Sequence, residues 1–299
     1  MACDTRSTNI FLEASNVSWG KEEVVCIDPV QGLTGGEYFV IASQAVEYYV
    51  WTDVDNGSTD PAPAGKTAIE VDVSAGYSIA DWIAAFKVAA EATGDFFVAA
   101  SSDGLSAQCT TIKVGVSQAA ATDVDSGFTI ATDITGTGGD LGKTKEGIEV
   151  SFEATLFDVK GNQSGELLLD QIIQGTSASA SMSLLEMTEE KWALIVGDGL
   201  GDKLTPGGGT EVIGFGSSKN FQSTFDSAGK LVLHPIRLPA SDRSKDVVFW
   251  KTLPLPESIN YDGTDSQAMS VSFNALVDET RDSKINIFAF GDHEQDLRA

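Results

Sequence analysis

From Glu146 onward, apolar and polar positions alternate. Ile148, Val150, Phe152 and Ala154 are interleaved with Glu149, Ser151 and Glu153, the period of a strand with one wet face. The same pattern marks further strands at 168–173, 178–184, 212–215, 231–236, 247–253 and 268–276. One helix interrupts them, capped by Thr188, running over 189–196 and stopped at Gly197. Many short strands with glycine-rich turns and a single helix predict a β-sandwich or barrel, α+β only by a small margin.

Residues 9–27 read as two short strands joined by a turn at Gly20. Two such strands cannot fold alone, so they are expected to pair with strands after residue 140. Between them lies a different texture, bounded by the glycine-rich runs 32–36 and 135–142. It predicts strands at 38–41, 46–52, 68–73, 96–100, 110–114 and 128–131 around one amphipathic helix. Ser78 with Asp81 three residues on makes a capping box, and Gly94 ends the helix. Ile79, Trp82, Ile83, Phe86 and Ala90 share one face of it. The expected organisation is therefore a discontinuous β domain, residues 1–28 and 140–299, carrying an inserted α+β domain at 29–139. Insertion is best tolerated at flexible, polar positions, and the glycine runs are read as the hinges.

Composition narrows the function. The 299 residues carry 44 acidic and 19 basic side chains, a formal net charge of -25. Specific binding to DNA needs Lys and Arg to displace counterions from phosphates, and a surface this acidic excludes it. What remains is a solubilising surface or one that faces a polyanion without holding it. No apolar run reaches the ~18 residues of a membrane span. The N-terminus lacks a signal-peptide pattern, so folding in the cytoplasm is expected. Cys3, Cys26 and Cys109 are odd in number and widely spaced, which suggests reduced thiols and no metal knuckle.

Candidate chemistry fails its own tests. The run from Gly136 to Thr144 resembles a phosphate-binding loop, but Thr137 stands where the pattern needs glycine. It also leads into the strand at 148–154 where a helix is required. Asp53, Asp55 and Asp60 lack the spacing of a calcium loop and read as a solvated turn with Asn56-Gly57 at its tip. The segment 197–201 follows a helix, unlike a dinucleotide fingerprint. His234 sits in a strand pattern and His293 near a fraying C-terminus. No nucleophile elbow or zinc-protease motif occurs. The sequence therefore predicts no catalytic, cofactor or metal residues, and no enzyme.

Joined across the insert, the outer segments resemble the major tail tube protein family of long-tailed, siphovirus-like bacteriophages. The likeness rests on four stretches: 8–12, 140–176, the short helix around Trp192, and 249–276 with 290–292. None is specific alone; order and spacing carry it, over about half of the chain. The resemblance implies a tail-tube-type β-sandwich or barrel that forms hexameric rings, stacked into a tube within the virion and assembled in the host cytoplasm. Its implied partners are further copies of itself, a tape measure and other tail proteins, with no membrane. DNA would pass through an acidic lumen during genome ejection without specific binding.

The family's long hairpin, which reaches the adjacent ring, falls at 160–174. That makes Asn162, Gln163, Leu167, Leu168 and Leu169 the expected inter-ring contacts. The inserted domain is expected on the tube exterior, since about 110 residues inside the bore would block it. The alternative reading is another virion or surface β-module: a tail terminator, a decoration protein or an adhesin.

Overall fold

In the computed structural model, residues 4–12, 15–124, 127–145, 147–160, 168–185, 188–205, 212–214, 216–217, 220–221, 223–260 and 268–293 are described. The protein is mostly β and divides into two compact units, Met1–Ser18 with Asp140–Ala299, and Trp19–Gly139. Strands β1 (Asp4–Leu12) and β2 (Ser15–Lys21) open the chain. The second unit follows with β3 (Val24–Pro29), β4 (Tyr38–Ala42), β5 (Glu47–Val54) and β6 (Thr67–Val73). Helix α1 (Ile79–Glu91) leads to β7 (Phe96–Ala100), β8 (Ala107–Thr111), β9 (Thr122–Asp123) and β10 (Phe128–Ile134).

The chain returns along β11 (Thr137–Lys143) into β12 (Ile148–Lys160) and β13 (Leu168–Leu184). A single α-turn, α2 (Glu189–Trp192), widens into π-type turns over Ala193–Leu200. A small ribbon of β14 (Asp202–Leu204) and β15 (Val212–Gly214) follows. The last strands are β16 (Gly229–Pro235), β17 (Val247–Asn260), β18 (Ala268–Leu276) and β19 (Phe288–Phe290).

The large sheet runs in the order β1-β12-β13-β18-β17-β16-β2-β11, with β19 also on β17. Register fixes its faces. Val150 pairs with Ala180 and Ala180 with Phe273, a buried row, while Glu149 pairs with Ser181 and Ser181 with Ser272 on the other side. A slip of one residue would turn the buried row out to water.

The second unit has its own core. Two four-stranded sheets, β10-β3-β8-β7 and β6-β5-β4-β9, share it with α1. The expected capping box is present: Ser78 accepts from the Asp81 amide, and Asp81 accepts from the Ser78 amide. Trp82, Ile83, Phe86 and Ala90 are buried, and Trp82 stacks on Phe86 at 5.2 Å between ring centroids. Trp82 Nε1 donates to Thr52 Oγ1 at 3.0 Å, so the indole is buried without an orphan donor. Each large side chain buried here stabilises by roughly 1.5–3 kcal/mol.

Several expectations are corrected. The segment 9–27 holds parts of three strands, and Gly20 lies inside β2 where a turn was expected. The third, β3, pairs with β8 and β10 inside the second unit, so only β1 and β2 join strands after residue 140. The first boundary therefore falls after Ser18, not after residue 28.

The downstream glycine run is a strand, not a hinge, because backbone passes against backbone there. A Cβ on Gly20 would meet Thr137 O at 1.9 Å, and one on Gly138, at φ +92°, would meet Trp19 O at 2.1 Å. The strand expected at 110–114 is β8, which begins at Ala107 and ends at Thr111. The strands expected at 168–173 and 178–184 are one strand, β13.

A deletion pair tests this division. Replacing Glu22–Gly136 by a short Gly/Ser linker is expected to leave a soluble, cooperatively unfolding outer unit, because β2 and β11 are neighbours in the sheet. Replacing 30–138 removes both partners of β3 and exposes Val25 and Ile27. Circular dichroism melts and solubility distinguish the two; equal loss of soluble protein would overturn the boundary.

Candidate functional site

The expected inter-ring contacts point to the β12–β13 hairpin. Asn162, Gln163 and Leu167 lie outside the described residues. Leu168 and Leu169 open β13, 51% and 64% exposed. Two residues that the sequence reading did not single out accompany them: Ile172 and Ile173, 52% and 65% exposed. Their signal was in the sequence, as apolar positions in a segment with polar neighbours on both sides.

The hairpin outruns the sheet around it. On one side, β1 pairs with β12 from Ile148 to Leu156, where its described residues stop at Asp4. On the other, β18 pairs with β13 only over Ser179–Leu184. Residues Leu168–Ala178 therefore present an outer edge with no strand partner among the described residues, about 35 Å long. Leu156 pairs with Ile173 and Phe157 with Ile172, so the arm carries apolar side chains on both faces. Gln171 Nε2 donates to Asp158 Oδ1 at 2.9 Å, a cross-strand tie that fixes the register.

A neighbouring edge is built differently. Strand β17 runs past the end of β16 at Thr252, and the stretch beyond contains Pro254 and Pro256. Both lie in the ladder with β18, and neither has an N–H to offer a further strand. Proline blunts that edge against pairing; the β13 edge has none.

Over β12, β13 and the middle of β18, the wet face of the large sheet is small and polar. Ser177, Ser179 and Ser181 on β13 stand opposite Glu153, Ser151 and Glu149 on β12. Ser270 and Ser272 continue the face on β18. These positions carry small hydroxyls and carboxylates and no cation.

Both histidines of the chain, which the sequence reading assigned to a strand and a fraying end, meet at one buried carboxylate. His234 Nδ1 donates to Asp246 Oδ1 at 2.6 Å, and His293 Nδ1 lies 3.5 Å from Oδ2. Arg243 approaches the same oxygen at 3.8 Å. Burial, with the charges of Lys230, Arg243, His234 and Arg281, pushes His293 down to about 3. Nothing in spacing foretold this, since the three residues come from distant segments.

In the second unit, the aspartates of the polar loop serve the loop itself. Asp53 accepts from the Ser58 amide, Asp55 from the Ala75 amide and Asp60 from Tyr49 Oη. Asp53 is buried, so the solvated-turn expectation fails for it. Among the described residues, no cluster of His, Cys, Asp or Glu has the geometry to hold a metal. Cys26 and Cys109 are free thiols, and Cys3 lies outside the described residues. No helix among the described residues is long and apolar enough to cross a membrane.

The chain matches no protein-family model and no curated protein sequence.

The acidic face of β5 and β6 yields a sign-defined prediction. Glu70, on the exposed side of β6, is raised above its ordinary 4.5, by partial desolvation first and then by Asp53, Asp72 and Asp60. A raised carboxyl binds protons more readily folded than unfolded. Its charge therefore costs stability above its folded pKa, and the cost disappears once the pH falls below 4.5. Glu70→Gln is expected to raise the melting temperature at pH 7 and leave it unchanged near pH 3.5. A gain that persists at low pH would refute the electrostatic cause.

Proposed function

We propose that this chain is a structural virion subunit that polymerises as stacked hexameric rings into the tail tube of a long-tailed bacteriophage. The observation that carries the reading is the long, proline-free edge of β13 with Leu168, Leu169, Ile172 and Ile173 exposed beside it. An edge with no strand partner among the described residues, flanked by apolar side chains, is a template for pairing with another chain. A protein that stays monomeric normally hides or blunts such an edge, as proline does on β17. The position agrees with the ring-to-ring hairpin that the family resemblance implies.

The serine and glutamate face supports the second half of the proposal. A wall of hydroxyls and carboxylates offers DNA neither ion pairs nor apolar adhesion. A formal net charge of -25 opposes counterion-release binding. Closing six such sheets into one barrel would satisfy their lateral edges and place this face around the channel. The inserted unit, self-contained in its core, is then a decoration carried on the tube exterior.

Negative-stain microscopy of the concentrated protein is expected to show hollow tubes or six-fold rings. Stable monomers at high concentration would count against the proposal. Leu169→Asp with Ile173→Asp, two exposed positions of the arm, is expected to abolish polymers. Because both side chains are exposed, thermal stability should change by no more than ~0.5 kcal/mol. Polymers that survive the double substitution would remove the hairpin from the assembly contact.

A further inference from the structure

The last described segment of the outer unit, Val277–His293, folds back over the β16–β17 sheet. Three hydrogen-bonded ties hold it. Strand β19 pairs with Val247–Phe249 of β17, the Gly291 amide donates to Asp246 O at 2.9 Å, and Trp250 Nε1 donates to Ile285 O at 2.7 Å. Beneath it lies a small apolar face of Val232, Val248 and Trp250, with Ala289 packed against it.

The segment has one aromatic anchor, Phe288, whose ring lies 4.4 Å from that of Phe152 and 6.2 Å from that of Phe249. Its buried side chains, Asp278, Arg281 and His293, are all polar. Arg281 stacks on Trp250 at 4.2 Å and lies 3.6 Å from Asp278, which Lys251 approaches at 3.8 Å. His293 reaches to 3.5 Å from Asp246, the carboxylate already bonded to His234. A segment whose buried side chains are all polar and whose apolar contacts come from half-buried Phe288 and Ala289 belongs to the part of a fold that opens locally at lower cost than the core strands.

We propose that Val277–His293 is an acid-released strap, closed over the Val232–Val248–Trp250 face while His293 is neutral and lifted from it when His293 takes a proton. The groups facing His293 decide the direction. Lys230 and His234 come from β16, Arg243 and Asp246 from the segment before β17, and Arg281 from the strap. The two buried carboxylates are already engaged, Asp246 by His234 and Arg243 and Asp278 by Arg281, so an added charge on His293 is unfavourable in the seat.

Once the strap is out, His293 regains an ordinary 6.5 in place of about 3. The seat is therefore fully held above pH 6.5 and weakens tenfold for each pH unit below it, down to about 3. Lifting it would free the Val247–Phe249 edge of β17 and uncover Trp250.

Hydrogen-exchange protection factors of the full chain at pH 7.5 and pH 5.0 test the strap, with α1 as internal reference. The expected result is a loss of about 30-fold in protection across 277–293, with α1 unchanged. In His293→Gln the loss should be under about twofold. A wild-type strap with unchanged protection at pH 5.0 would overturn the proposal. So would loss across the whole β16–β17–β18 sheet together, or a flattened response in His234→Gln and not in His293→Gln. If His293→Gln fails to fold, the His293 ring titration by NMR decides: a midpoint near 6.5 overturns the strap and one below 4 upholds it.

Discussion

Every strand has to satisfy its backbone N–H and C=O groups, and in the outer unit that requirement converges on β12 and β13. β12 is bonded along one side to β1 and along the other to β13, in a register that sends Ile148 and Val150 inward and Glu149 and Ser151 to water. The buried row then continues through Ala180 and Met182 to Phe273 and Val271, so the core of the sheet is fixed once that register is set. The same two strands continue past their neighbours. Within one element, the pairing rule that builds the core gives way to an edge with no strand partner among the described residues, and the assembly proposal follows from that change.

The insert obeys a different constraint. A domain spliced into a sheet has to leave and return through neighbouring points if the host strands are to stay paired. Strands β2 and β11 lie side by side, and the contact is close enough that neither Gly20 nor Gly138 has room for a Cβ. Glycine here allows two backbones to approach and does not supply a flexible hinge. With its ends fixed, the insert closes its own two sheets around α1, and β3 belongs to it because β8 and β10 supply its hydrogen bonds.

What the sequence revealed and what it concealed divide along the range of the interactions. The capping box at Ser78 and Asp81, the buried face of α1 and the alternation at 148–154 are local periodicities, and all three appear in the structure. The allegiance of β3 was not legible, because Val24–Ile27 reads alike whichever sheet accepts it. Strand β13 read as two strands because Gly175, Thr176 and Ser177 look like a loop. They remain extended because β12 pairs with them over Glu153–Thr155 while both faces stay polar. Leu168 and Leu169 were visible as candidates, whereas the partnerless edge that gives them meaning depends on where β18 ends, which no local pattern encodes. The meeting of His234, Asp246 and His293 is equally non-local.

Charge and edge chemistry act in opposite directions on association. Forty-four acidic side chains against 19 basic ones keep copies apart wherever their surfaces are dense in carboxylates. Leu168–Ala178 carries a single charge, Asp170, over its whole length. Repulsion between exposed charges decays within about 8 Å at physiological ionic strength, whereas main-chain bonds along an edge form at contact. Approach through a carboxylate-rich surface is therefore penalised, and approach along this nearly neutral edge is not. In the tube reading, the acidity of the chain restricts where copies can join and keeps the channel wall from gripping DNA, so one compositional feature serves both assembly and passage.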